Sequence, residues 1–397
     1  MRIAMLADMY KPHTSGVTNH ISLNKAALEA LGHEVWVFCF GDLEYADDEP
    51  RVVRCPGVPY GDTGYRFGLG YDRPAIELLR TMDVLHVHHP FMSGRFAVRI
   101  RRSYGVPVVF TNHTRYDLYA HVYARLVPRP LSRWYVARYL RRFCASVDAV
   151  ISPSAGMRDV LRSFGVEGDI DVVPNGIDLA PFRQAEQGDA QARQTLRSQL
   201  GLSAEDVALC YLGRLGGEKR TMWLLGTFGA VARRNPAAAL VFIGDGPERE
   251  RLERTVRANG LQGRVVFAGA VPYAAVPPYL AACDAYVSAS VSEVHPLTIS
   301  ESMGAGLPCL GVLSPGVADS IQDDVSGLLA EDDPVAFAEA MTRLVVDPQL
   351  RSRLAEGARA RAQDFDIERT VVELAAVYER VLRQRQGAQR AQDAQDA

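Results

Sequence analysis

Short apolar runs alternate with longer segments of helical spacing along most of the chain. Arg2 to Leu6, Glu34 to Phe40, Val84 to Val87, Val108 to Thr111 and Ala149 to Ser152 each read as a buried strand. That rhythm predicts β-α-β units around a parallel sheet. A second set follows a polar stretch, with strands expected at Val207 to Leu212, Ala239 to Ile243, Val265 to Ala268, Ala285 to Ser288 and Pro308 to Gly311. The expected fold class is therefore α/β, two Rossmann-like, doubly wound domains facing each other across a cleft. Between the two sets lie VVPNGIDLAPF at 172–182 and the Gln-rich segment 184–199, which read as a connection with its hinge near 176–185. The expected boundaries are 1–180 for the first domain and 181–369 for the second. From Thr370 to Arg383, Val371, Val372, Leu374, Val377, Tyr378 and Leu382 recur at helical spacing and predict a helix with one docking face. The final residues, 385–397, are polar and biased, and are expected to be disordered.

A length of 397 residues fits two hydrophobic cores better than one. With 48% hydrophobic and 23% charged residues and a formal net charge of -3, nothing global points to nucleic acid. Six scattered cysteines form no CxxC pair and no zinc spacing, so they read as reduced, buried thiols in a cytoplasmic protein. The opening MRIAMLAD is too short for a signal peptide, and no run reaches the roughly 20 apolar residues that span a bilayer. Any membrane contact is expected to be peripheral.

The chemistry concentrates after the strand AYVSAS, in VSEVHPLTISESMGAGLP, where Glu293 and Glu301 are separated by seven residues. Pro296 suits the first turn of a helix over 297–305, starting at a strand's carboxyl end. Free amides and the dipole at such a start favour phosphate. Val294, His295, Pro296, Leu297 and Thr298 would then line a donor, with Glu293 and Glu301 as acceptors for sugar and ribose hydroxyls. Upstream, CYLGRLGGEKR puts Arg214 and Lys219 on a Gly-rich loop at another strand end. Two cations there suit a diphosphate and the charge that grows on it as a sugar departs. They would replace a divalent metal, and no DxD-type site is apparent; Glu331, Asp332 and Asp333 read as a surface acidic loop.

In the first half, Ser15, Gly16 and Val17 precede an amphipathic helix expected from about Thr18 to Leu31, and GxGxxG is absent. His113, past the strand VVFT, is placed to hydrogen-bond a sugar hydroxyl. His86, His88 and His89 read as packing, with His88 or His89 near an acceptor, because strand alternation turns His89 from the face shared by the other two. No Asp or Glu occurs from Leu118 to Val147, where Arg125, Arg129, Arg133, Arg138, Arg141 and Arg142 interleave with Trp134, Tyr135 and Tyr139. That mixture suits either an interfacial helix on anionic lipid or a solvated helix whose apolar face packs on the core.

Six pieces, SGV at 15–17, TNHT at 111–114, VPNGID at 173–178, GRLGGEK at 213–219, GDGP at 244–247 and EVHPLTISE, resemble in kind and order the retaining glycosyltransferases of family four, with the GT-B fold. The resemblance implies that Gly16 lies beside the donor phosphates, that Arg214 and Lys219 bind the diphosphate, that Glu301 binds ribose, and that Glu293 and His113 contact the transferred sugar. It also implies metal-independent transfer with retention, no cofactor, and a terminal helix, 370–384, packed back on the first domain. His295 and Pro296 stand where the family often has Gly-Phe-Pro. HHPFMSG, TNHTRYDLYAH, the Arg-rich segment and SPGVADSI are similar to diacylglycerol glucosyltransferases. The expectation is transfer of a hexose, glucose from UDP-glucose, to a lipid hydroxyl at the cytoplasmic membrane face. The alternatives are a soluble metabolite or saccharide acceptor, a non-catalytic nucleotide-sugar-binding protein, or an epimerase.

Overall fold

The computed structural model describes residues 1–396 apart from Thr14, Asp42, 60–65, Leu69 and 119–127, and apart from the side chains of Pro59, Arg66, Phe67, Arg129, Gln392 and residues 394–396. The chain divides into two compact units, Met1–Gly176 with Ile367–Ala397, and Ile177–Asp366.

The first unit holds β1 (Arg2–Ala7), β2 (Glu34–Gly41), β3 (Val52–Pro59), β4 (Arg66–Gly68), β5 (Val84–Val87), β6 (Val108–Thr111), β7 (Ala149–Ser152) and β8 (Ile170–Val172). They form one sheet in the order β4-β3-β2-β1-β5-β6-β7-β8, parallel except where β4 runs against β3. Every residue of β5, β6 and β7 is buried, as expected of parallel strands covered on both faces. Ile3, Met5 and Ala7 pack in one core with Ile21 and Leu28 of the helix Gly16–Ala30 and with Val371, Leu374 and Tyr378 of the last helix.

The second unit holds β9 (Val207–Leu212), β10 (Ala238–Ile243), β11 (Val265–Gly269), β12 (Ala285–Ser288), β13 (Cys309–Val312) and β14 (Gly327–Ala330), all parallel, in the order β11-β10-β9-β12-β13-β14. Alternation along β9 sends Leu209 and Tyr211 into one core with Phe228 and Phe337, and Ala208 and Cys210 into another with Phe182 and Ile299. Two cores on opposite faces of one sheet make the unit doubly wound. In each unit the order reverses once, at β1/β5 and at β9/β12. The carboxyl ends of strands at such a reversal are where open α/β sheets hold ligands.

The structure departs from the sequence reading in four places. The units part at 176/177 and 366/367 rather than at 180/181 and 369/370. The segment 184–199 is no plain connection, because the helices Ala180–Glu186 and Ala190–Gln199 occupy most of it. The anchor of the second is polar: the buried Arg197 guanidinium donates to the carbonyls of Ala282, Ser203 and Asp206 and pairs with Asp284 at 3.1 Å. In the last helix, Val372 faces solvent although its neighbours Val371 and Leu374 are buried. That helix, Ile367–Asp396, also runs through most of the tail expected to be disordered. Ala, Gln and Arg are strong helix formers, and Gln389 bonds Asp393 one turn on at 3.0 Å, so the segment continues a helix already nucleated upstream. All six cysteines are free and buried.

Candidate active site

Both reversal points carry the residues singled out by sequence. In the second unit, β9 runs into Gly213 and then a short turn, Gly217–Lys219, and β12 runs into the loop that ends at Glu293. The two loops meet: Lys219 Nζ lies 2.6 Å from Glu293 Oε1, and the Ser292 hydroxyl donates to the Glu218 carbonyl at 3.4 Å. Burial pushes the Glu293 carboxyl up, yet the Lys219 charge and its hydrogen bond outweigh it and hold the group below the usual carboxylate value. Arg214, on the same loop as Lys219, is exposed, and its carbonyl accepts from the Tyr211 hydroxyl at 2.9 Å.

Backbone packing fixes this loop. Gly244 has φ 139°, and a Cβ there would lie 2.0 Å from the Gly213 carbonyl oxygen. The glycines of IGDGPER thus let the β10 loop seat against the β9 loop, a role the sequence alone did not separate from an ordinary tight turn.

The helix after β12 spans Leu297–Gly304, with Pro296 as its N-cap rather than in its first turn. The Ile299 amide bonds the Pro296 carbonyl at 3.1 Å, and the amides of Leu297 and Thr298 occupy the first two positions, which have no intrahelical acceptor. Val294 and Leu297 are buried, and the Thr298 hydroxyl is bonded to Tyr286 Oη at 2.9 Å. His295 is buried with its ring 4.8 Å from that of Phe365. Glu301 is only 3% exposed, and burial raises its carboxyl to about 7, against the pull of a hydrogen bond from Tyr273. Tyr273 was not visible as a site residue in sequence, since nothing local links PYAA to a helix nearly thirty residues on.

In the first unit, Ser15 caps the helix Gly16–Ala30 by accepting from the Thr18 amide at 3.2 Å, leaving Gly16 and Val17 at its first two positions. One turn along, His20 lies edge-on to His113, centroids 4.6 Å apart. His88, past β5, brings Nδ1 to 3.0 Å from Nε2 of His113, past β6. Sheet order β1-β5-β6 gathers the three rings. Burial holds His20 at about 4 and lowers His88 and His113 as well, so all three are neutral near pH 7. Their nitrogens lie within 4.8 Å of one another, and among the described residues this is the one group with metal-ligand spacing. His86 does not join it by hydrogen bonding, being held between Thr111 Oγ1 and the Tyr378 hydroxyl, each at 2.7 Å. His89 turns to the Asp8 amide, at 3.2 Å. Arg115 and Asp117 pair with each other at 2.9 Å.

The basic segment resolves into the helix Arg129–Cys144. Ser132, Leu140, Phe143 and Cys144 form its buried side, and Tyr139 donates to the Pro90 carbonyl at 2.7 Å. Leu131, Trp134 and Tyr135 are exposed by 55%, 58% and 66%, among exposed Arg133, Arg138, Arg141 and Arg142. Arg138 stacks over Trp134 at 5.6 Å, and Arg141 pairs with Glu167 at 3.0 Å. Packing therefore consumes one face and leaves the aromatic residues of the other in solvent. Arg125 lies outside the described residues, as does the Arg129 side chain. No helix among the described residues is long and apolar enough to cross a membrane.

Residues 14–181 match the model of Glycosyltransferase Family 4, and residues 192–361 that of Glycosyl transferases group 1. The alpha-monoglucosyldiacylglycerol synthase of Streptococcus pneumoniae is 31% identical over 88% of this chain and 80% of its own length. The enzyme of the same name from Acholeplasma laidlawii is 25% identical over 92% of this chain and 93% of its own. Among solved structures, the Anabaena protein Alr3699/HepE in complex with UDP superposes with a TM-score of 0.75 at 19% identity, over 96% of this chain and 100% of that one. Matched family models over both units, a relative at this identity and a shared GT-B fold lead to one conclusion: the chain belongs to the family-four glycosyltransferases.

Proposed function

We propose that this glycosyltransferase moves glucose from UDP-glucose to a lipid hydroxyl, such as that of diacylglycerol or a glycolipid, at a membrane surface, with retention of configuration and without a metal or other cofactor. Arg214, Lys219 and the amides of Leu297 and Thr298 take the diphosphate, Glu301 the ribose, and Glu293 and His113 the hexose, with Gly16 and Val17 beside the phosphates. The observation that carries the lipid acceptor is the outer face of the helix Arg129–Cys144. A solvated helix would keep its large apolar and aromatic residues on the core side, whereas this one packs Leu140 and Phe143 there but leaves Leu131, Trp134 and Tyr135 outside. The names of the two bacterial relatives support the same acceptor and sugar. Incubation with UDP- and GDP-sugars and a panel of lipid and soluble acceptors, with products identified by mass, tests the reading. A glucosylated lipid from UDP-glucose is expected, undiminished by EDTA and with an α-linkage by NMR. Products on soluble acceptors alone would overturn it.

The state of Glu301 gives the donor affinity a pH dependence. Ionised, it accepts from ribose hydroxyls; protonated, it loses acceptor capacity. With its carboxyl at about 7, the KM for the donor should rise as pH falls below that value, approaching about tenfold per unit. Above it KM should be flat. A Glu301→Gln enzyme should show a raised KM without this slope, and a slope that persists would detach it from Glu301. For the fold the sign is opposite, since the folded chain holds this proton up to about 7 and the unfolded chain only to the ordinary 4.5. Stability from this group therefore declines as pH rises between those values.

Gly316 supports the catalytic loop from behind. A Cβ there would lie 2.3 Å from the Val294 carbonyl oxygen and 2.5 Å from that of Glu293. Gly316→Ala must displace the backbone that carries Glu293, and a shift near 1 Å costs about a hundredfold in turnover. Wild-type kinetics in this variant would show that the loop tolerates the displacement.

A further inference from the structure

The three-histidine cluster in the first unit contains a hydrogen bond whose direction can be assigned. His88 Nδ1 and His113 Nε2 are 3.0 Å apart, and the ring planes differ by 20°, so a single N–H joins them nearly in plane. The other nitrogen of His88, Nε2, is buried and has no hydrogen-bond partner among the described residues. A neutral imidazole carries one proton, on one nitrogen or the other. Were His113 the donor, the proton of His88 would sit on Nε2 as an orphaned buried N–H. Such donors are rarer in folded proteins than under-satisfied acceptors. His88 therefore carries its proton on Nδ1 and donates it to His113. Around the pair, burial keeps His20, His86 and His89 from charging, so no neighbouring cation forces a different arrangement.

We infer that His88 is a positioning residue for sugar transfer: by filling Nε2 of His113 it fixes that ring as the Nδ1–H tautomer, so that the partly exposed His113 meets the hexose as a hydrogen-bond donor. A ring in this state offers no lone pair to a sugar. It recognises a hydroxyl oxygen as acceptor, in one orientation. Because this rests on His113 contacting the hexose, its test reads the proton directly as well as the turnover.

In the full chain, labelled with 15N at histidine, long-range 1H–15N correlation near neutral pH separates a protonated from a bare ring nitrogen. His113 is expected to show Nδ1 protonated and Nε2 bare. His88→Phe keeps a flat ring but no donor, and should give a mixture of tautomers with kcat/KM for the donor lower by roughly tenfold to a hundredfold, as expected when a substrate-contacting group loses its orientation. His88→Asn, whose amide nitrogen replaces Nδ1, should restore the single tautomer and most of the turnover. Nε2–H at His113 in the wild-type protein overturns the inference. So does a His88→Phe protein that keeps pure Nδ1–H at His113, even if its turnover falls, because the residue would then act only through packing. If His88→Phe does not fold, the wild-type and His88→Asn spectra still decide. A wild-type chain with the expected tautomer and no sugar transfer would support the hydrogen-bond direction and overturn the functional reading instead.

Discussion

Glu293→Ala and Lys219→Ala are each expected to abolish measurable transfer while leaving a folded protein. The two side chains touch at 2.6 Å, so each substitution does two things. On the proposed reading, removing Lys219 takes away a cation for the leaving diphosphate, and it also removes the charge that keeps Glu293 ionised against burial. Removing Glu293 takes away the proposed hexose contact and one partner of the Lys219 ammonium. Loss of one preorganised charge at a reacting centre costs roughly 10²–10³-fold in kcat. The double variant should be little worse than either single one, because both act through one unit. The charge-assisted bond itself is worth roughly 1.5–3 kcal/mol, too little to unfold a domain stable by about 5–15 kcal/mol. Donor turnover measured beside a thermal melt checks both halves, and near-normal turnover in either single variant would refute the assignment.

Neutralising Arg133, Arg138, Arg141 and Arg142 together as glutamines is expected to release the protein from anionic vesicles. Each basic residue near such a surface contributes about 1 kcal/mol, so the four remove up to ~4 kcal/mol, or roughly a thousandfold in partitioning. Arg141 will contribute least, because it already pairs with Glu167. Trp134→Ala with Tyr135→Ala should weaken binding in a way that added salt does not mimic, since their share is apolar. The buried side formed by Leu140, Phe143 and Cys144 is untouched by all of these changes, so the fold should persist. Flotation with anionic and neutral vesicles at low salt is the measurement. Wild-type protein that ignores anionic vesicles would sink the membrane reading and favour a soluble acceptor.

Much of this is legible in the amino-acid sequence. Strands such as Val84–Val87, Val108–Thr111 and Ala285–Ser288 are continuous apolar runs between polar segments, and buried parallel strands have little choice but to look like that. β3 is not, because VVRCPGVP carries Arg54, Pro56 and Gly57 and breaks the pattern. The helix Ala190–Gln199 escaped for a different reason: its anchor is the buried guanidinium of Arg197, and an apolar-periodicity test cannot weigh a polar anchor. At the site, the E-x7-E element and GRLGGEK were legible as separate motifs. That Lys219 and Glu293 meet depends on β9 lying beside β12, which is topology and not local sequence. His20, His88 and His113 show the same limit, coming from a helix and two strand ends that are distant in the chain.

The last helix carries a consequence for how the chain is made. Val371, Leu374, Val377 and Tyr378 belong to the core of the first unit, the Tyr378 hydroxyl bonds His86, and Arg380 pairs with Asp171. Those residues leave the ribosome after all of Ile177–Asp366 has been synthesised. During synthesis the N-terminal half waits with an open apolar seam while the later-made unit can already close on itself. Chains that stop short of Tyr378 would expose that seam permanently, and quality-control proteases and chaperones would meet them as unfinished protein.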